Sequence, residues 1–193
     1  MEKIKSLGFP NYFGQQRFGR NDNNLSSAFS WIERGGKRIN RNKQSIYFSS
    51  LRSLLFNAVL KERVLAQSWN ILLDGDLANL SGSHSSFLVE DVSIEQARCS
   101  AFDIHPTGPL VGKTKRDVQA ITKDLEGRIL NEYPVIRDFL RSKMDANRRN
   151  LRVLPKDINW EWLTDDSLSL SFFLPAGSYA TVLLEQVFEL HNA

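Results

Sequence analysis

Between Ser45 and Ala66 the apolar residues Leu51, Leu54, Leu55, Ala58 and Val59 fall at the three- and four-residue spacing of one helical face, and neither proline nor glycine interrupts the run. A helix of that length with one apolar face has to be covered, so the chain must be built around it. Lys43, Arg52, Lys61 and Arg63 lie off the stripe and are expected to face solvent.

Around this helix the pattern alternates. Asp22 or Asn24 can cap a short helix through Trp31 that ends at Gly35-Gly36. Small strands are expected from Ile71 to Val89 around the turn strings Asp74-Gly75-Asp76 and Ser81-Gly82-Ser83. Ser93 is expected to cap a helix to about Phe102. Ile104 to Lys113 reads as a loop held by Pro106, Gly108 and Pro109, with helices over about Lys115 to Leu130 and Pro134 to Met144. Arg152 to Leu154, Asn159 to Leu163 and Leu168 to Leu174 read as strands, the last two forming a hairpin across Asp165-Asp166. A final helix is expected from about Gly177 to Leu190. The class is α+β.

Ahead of the long helix, Phe9 to Gly19 packs four aromatics, two glutamines, an asparagine, an arginine and two glycines into eleven residues without an acid. Neither a helix nor a strand requires that mixture for packing. As an RNA surface, it offers rings for unstacked bases, amides for base edges or sugar hydroxyls, arginine for phosphate, and glycine for close backbone approach. As a scaffold, it is an aromatic turn that plugs a core. The charge favours the first reading. Residues 1–43 hold nine basic and three acidic side chains, a balance of +6, while the whole chain balances to only +3, so the other 150 residues stand at −3. Positive charge concentrated beside these aromatics suits a polyanion.

Pro-Asn-Tyr-Phe-Gly-x-Gln-Arg-Phe-Gly, here Pro10 to Gly19, resembles the signature of the TruD family of tRNA pseudouridine synthases. Arg41 to Ser45 with Ser49, Arg52, Ser53, Phe56 and Asn57 is similar to the family's long helix and its approach. Asp74-Gly75-Asp76, Thr107-Gly108-Pro109-Leu110 and Leu174 to Thr181 follow in family order. The resemblance implies that residues 1–7 end a catalytic-domain helix and that residues 8–153 form a TruD-type insertion domain. Residues 154–193 would be returning strands and a helix of a catalytic domain that is incomplete here, with unpaired strand edges and exposed apolar faces.

The implied activity is isomerisation of uridine 13 to pseudouridine in tRNA, without a cofactor. The implied base-stacking residue is Tyr179. Asn11, Tyr12, Phe13, Gln16, Arg17, Phe18, Arg41 and Arg52 are candidate RNA contacts, and Asn11, Gln16 and Arg17 are equally candidates for local scaffolding. The family's nucleophilic aspartate lies in a Gly-x-Lys-Asp motif that these 193 residues do not contain. No catalytic residue is therefore assigned. The chain is expected to resemble a fragment that needs a separately encoded N-terminal part for turnover, the alternatives being a tRNA-binding remnant without chemistry or an unstable product with no role.

Other strings are decoys. Gly108 to Thr114 has one residue too few between its glycines for a phosphate-binding loop, and Pro109 removes a backbone donor. Gly82-Ser83-His84-Ser85 lacks the elbow of a serine hydrolase. His84, His105, His191 and Cys99 have no metal-ligand spacing, so no metal is expected. One cysteine excludes an internal disulfide, and Cys99 is expected to be a buried structural thiol. Trp31 and Trp69 are expected to be structural, and Trp160 and Trp162 to serve a core or a domain interface. Without an apolar run near twenty residues or a signal peptide, the expected setting is cytoplasmic, with no membrane partner.

Overall fold

The computed structural model describes residues 1–83, 85–114 and 117–190. Expectations touching His84, Lys115, Arg116 and His191 lie outside them. The long helix, α3, spans Arg41–Leu65, starting four residues before the expected Ser45, because Asn40 caps it by accepting a hydrogen bond from the Asn42 N–H at 2.9 Å. Its stripe meets α2 (Asn23–Glu33), α5 (Ala120–Leu130) and α6 (Pro134–Lys143) in the main core, where Leu51, Leu55 and Val59 pack with Ala28, Trp31, Tyr47, Val111, Ile129 and Leu140.

The helix is covered on a second side as well. Phe56 and Leu60 are fully buried with Leu151. Arg63, expected at the surface, is only 1% exposed. Its guanidinium donates to both carboxylate oxygens of Asp76 at 3.1 and 3.0 Å, to Ser68 O at 3.0 Å and to Ile71 O at 2.8 Å. Asp76 also accepts from the Leu73 N–H and the Thr122 hydroxyl. The Asp-Gly-Asp string is thus a turn, as expected, and it also carries the counter-ion that lets a central helix bury a charge. Arg52 is half-buried and holds neighbouring backbone.

An antiparallel sheet lies against α3 in the order β3-β2-β4-β5, with β2 at Leu77–Leu80, β3 at Ser86–Leu88, β4 at Ile104–Leu110 and β5 at Asn147–Asn150. The expected loop over 104–113 is therefore largely a strand, despite Pro106 and Pro109. β2 pairs with Ile104 to Pro106 and β5 with Thr107 to Leu110, so each half of β4 is an edge on one side, where proline is tolerated. β5 was not anticipated because Asn147-Arg148-Arg149-Asn150 has no apolar alternation. Asp91, not Ser93, caps α4 (Val92–Ser100), and Cys99 is buried beneath it.

The chain ends form a separate small core. Ile4 of α1 (Glu2–Leu7) and Phe9 of β1 (Phe9–Pro10) pack with Val153 of β6 (Arg152–Val153), Ile158 of β7 (Lys156–Thr164), and Val182 and Leu183 of α7 (Ala180–Leu184). β1 pairs with β6, and β7 forms the expected hairpin with β8 (Ser167–Phe173). Among the described residues β7 and β8 pair only with each other. Trp162, Leu163 and Phe173 are more than 60% exposed there, while Trp160 is half-buried, so the two tryptophans differ. α7 is far shorter than the expected terminal helix. No helix among the described residues is long and apolar enough to cross a membrane.

Candidate nucleic-acid interface

The Phe9–Gly19 run crosses between the two cores, and its first residues are pinned. Asn11 donates its N–H to Leu151 O at 2.8 Å and its side-chain amide to Asn150 O at 2.7 Å, and it is buried. Phe13 is clamped through its backbone by Asn57 of α3, whose side chain accepts from the Phe13 N–H and donates to its carbonyl, both at 2.9 Å. The Phe13 ring stands edge-on to Phe56 at 5.4 Å and faces Tyr179 at 6.1 Å with the planes 65° apart.

Tyr179 reaches this place from the other end of the chain. Arg17 donates from Nε to the Tyr179 hydroxyl at 2.9 Å and from Nη1 to Ser49 Oγ of α3 at 2.8 Å, while the Arg17 carbonyl accepts from Ser50. Gln16 donates to Thr181 Oγ1 at 3.2 Å. Gly14 makes the approach possible: a Cβ there would stand 2.9 Å from Tyr179 Cδ1 and 2.5 Å from Gln16 Oε1. The signature thus lies against the turn that follows Pro175.

Sequence reasoning missed Arg149 of β5. Its guanidinium lies 4.0 Å from the Phe13 centroid, donates to Gly177 O at 2.9 Å and also bonds Asn11 Oδ1. Burial, with the nearby Arg17 charge adding to it and Tyr179 opposing, pushes its pKa down to about 10. Two adjacent arginines in the β5 segment were the available signal. Among the described residues neither Arg149 nor Arg17 is in a salt bridge.

Phe13 and Arg149 border a cleft of about 600 Å³ whose lining also includes Arg41, Ser49, Arg52 and Ser53. No carboxylate lines it. Ser53 Oγ is buried there without a hydrogen-bond partner in the protein. A concave surface with guanidinium groups and no carboxylate suits an RNA segment better than an apolar metabolite.

The structure therefore places Phe13 and Arg41 at this cleft, while Arg17 and Gln16 are tied to Tyr179 and Thr181 beside Phe13. Arg52 borders the cleft too, but its guanidinium is occupied by the carbonyls of Val111 and Leu110, both at 2.9 Å, and of Asp145. Burial lowers its pKa, with Asp145 opposing. Phe18 and Asn11 face inward. Tyr12 lines a groove with Leu54, Ala58 and Tyr133 instead, and burial pushes its hydroxyl pKa up to about 12.

Comparison with known proteins places this geometry in context. The sequence model described as tRNA pseudouridine synthase D (TruD) matches residues 23–187. The chain is 38% identical over 191 residues to tRNA pseudouridine synthase D of Hydrogenovibrio crunogenus, covering 98% of the chain and 55% of the relative. It is 38% identical over 193 residues to that of Proteus mirabilis, with the same coverage. It thus spans about half the length of these relatives. The crystal structure of a Methanosarcina mazei protein designated TruD superposes with a TM-score of 0.69 at 20% identity, covering 96% of this chain and 62% of that one. That likeness concerns the fold.

Proposed function

Because this chain belongs to the TruD family of tRNA pseudouridine synthases, we propose that it is the RNA-docking and base-holding part of an enzyme that isomerises uridine 13 of tRNA to pseudouridine in the cytoplasm, without a cofactor. The observation that carries the reading is the closure of the signature on the C-terminal turn. Arg17 bonds the Tyr179 hydroxyl, the Phe13 ring stands 6.1 Å from the same ring at a steep angle, and the cleft bordered by Phe13 is cationic and free of carboxylates.

The reaction needs a uridine withdrawn from its stack, and paired aromatic faces lower the cost of that exposure. A carboxylate then attacks the nucleoside, the N1–C1′ glycosidic bond breaks with its electron pair going to N1, the uracil turns, and C5 bonds to C1′ as the carboxylate is released, the C5 proton being lost to solvent and N1 taking one up. Tyr179 and Phe13 hold the ring during the turn, and the cleft arginines hold flanking phosphates. The Gly-x-Lys-Asp aspartate has to come from outside these 193 residues. Residues 8–153 are proposed as the insertion domain, with Phe9 and Val153 at its two ends packing into the small core of Ile4, Ile158, Val182 and Leu183.

The test is a tRNA assay for pseudouridine. The chain alone should give no product, and the chain mixed with a separately made N-terminal half of a relative should give pseudouridine at position 13. Tyr179→Ala should abolish it. A mixture that binds tRNA but yields no product would leave a binding module without chemistry.

A further inference from the structure

The ten residues from Arg34 to Lys43 hold five basic side chains and no acid. The fold fixes this loop. Trp31 donates from Nε1 to Lys37 O at 2.7 Å, and the Gly35 and Gly36 N–H groups bond the Ile32 and Trp31 carbonyls at 2.8 and 2.9 Å. Gly36 has φ +59 and lies flat on Phe139, where a Cβ would stand 2.4 Å from Cε2. Ile39 packs on the main core. Arg34, Lys37, Arg38, Arg41 and Lys43 are consequently all exposed on an ordered backbone, and among the described residues none is in a salt bridge.

A second cleft, of about 520 Å³, opens between α2 and α3 beside this loop. Ser26, Ser30, Arg34, Lys37, Lys43 and Tyr47 are among its lining residues, and no acid is. Glu33, next to Arg34 in the chain, is exposed and outside the lining. The Lys43 ammonium stands 5.7 Å from the Tyr47 centroid, which leaves its charge available. The two clefts share the first turn of α3: Arg41 and Gln44 border the first, and Lys43 borders the second. That turn carries no acidic residue to neutralise the positive end of the helix.

We propose that the second cleft docks the phosphodiester backbone of the tRNA strand flanking the target uridine, which reaches it from the base-holding cleft over Arg41. Serine hydroxyls and exposed cations suit successive phosphates, a contact that does not depend on base sequence. The proposal rests on the tRNA reading above.

The test titrates the full chain with a transcribed tRNA across a range of salt, comparing wild type, the triple variant Arg34→Ala/Lys37→Ala/Lys43→Ala, and Tyr179→Ala. All three replaced basic side chains are exposed, so the variant should keep the wild-type melting temperature. The triple variant is expected to bind on the order of a hundredfold more weakly at low salt, with its salt slope reduced by about 2 to 3, while Tyr179→Ala keeps the wild-type slope. A triple variant with unchanged affinity and slope, alongside a weakened Arg17→Ala, would overturn the second cleft and leave the base-holding cleft standing. Loss of binding to phosphatidylserine vesicles with tRNA binding intact would assign the cleft to a lipid surface and overturn the proposal. A wild-type chain that binds no tRNA at low salt would overturn both readings.

Discussion

Two sets of arginines in this protein are withdrawn from bulk water, Arg63 fully and Arg148, Arg17 and Arg149 in part, yet they differ in what faces them. Arg63 and Arg148 are each met by a carboxylate: Arg63 by Asp76, and Arg148 by both oxygens of Glu126 at 2.9 and 2.7 Å, with Thr107 completing its donors. Arg17 and Arg149 are met by a phenol, a hydroxyl, carbonyls, an amide and an aromatic face, with no negative charge. A paired buried guanidinium is finished within the fold. An unpaired one beside a cleft keeps its attraction for an anion from outside, which is the electrostatic condition of an RNA site.

The comparison can be broken most forcefully in the buried set. Arg63→Ala should destabilise the chain by about 3–5 kcal/mol, because Asp76 is left charged and uncompensated. Urea denaturation measures it, and adding Asp76→Asn should recover part of the loss. A cost within about 1 kcal/mol would mean that this pair is no more structural than the cleft arginines.

Arg152 belongs to the buried set but leans on a neutral partner, donating to His105 Nδ1 at 3.0 Å. Burial, reinforced by the Arg152 charge and opposed by Asp103, pushes the His105 pKa down from 6.5 to about 4. Unfolded chains take up this proton near pH 6.5 and folded ones only near 4. The contribution is therefore complete above pH 6.5 and is lost as the pH falls towards 4, by up to about 3 kcal/mol. His105→Gln should flatten that part of the stability–pH curve in a denaturation series.

In the cleft set, Arg149→Ala should cost about 2 kcal/mol of stability, since it removes a ring contact and a tie to the Gly177 carbonyl. It should also weaken tRNA binding, whereas the Arg63→Ala/Asp76→Asn chain, once folded, should bind tRNA as wild type does. Anisotropy titrations separate the two. The smallest effect is expected for Arg17→Ala: tRNA affinity about tenfold lower, with a stability change near 1 kcal/mol. An Arg17→Ala chain that binds normally but melts early would move Arg17 from the RNA surface to the scaffold.

Much of this was legible in the residues. The stripe from Leu51 to Val59 located the central helix, Asp165-Asp166 located the hairpin turn, and Pro10 to Gly19 with Leu174 to Thr181 pointed to the family. Less legible were elements whose partners are distant. β4 was hidden by its two prolines, which only the half-and-half pairing with β2 and β5 makes acceptable. β5 and Arg149 were hidden because a polar strand has no periodic signature, and Arg63 because a charge off an apolar stripe reads as exposed unless its counter-ion is known.

What the residues determined unaided is local and compositional: helix faces, turn strings, the acid-free aromatic run, the basic loop from Arg34 to Lys43 and the lack of a Gly-x-Lys-Asp motif. These follow from neighbours within a few positions, where period and dihedral preference act. Tertiary structure decided which charges are neutralised and which are left open. That depends on encounters such as Arg17 with Tyr179 or Arg149 with Phe13, separated by more than a hundred residues, and one-dimensional order carries no measure of such distances. The same aromatic run can plug a core or face a cleft. Here Asn11 and Phe18 do the first, Phe13 borders the second, and the division was set by what the chain folded against them.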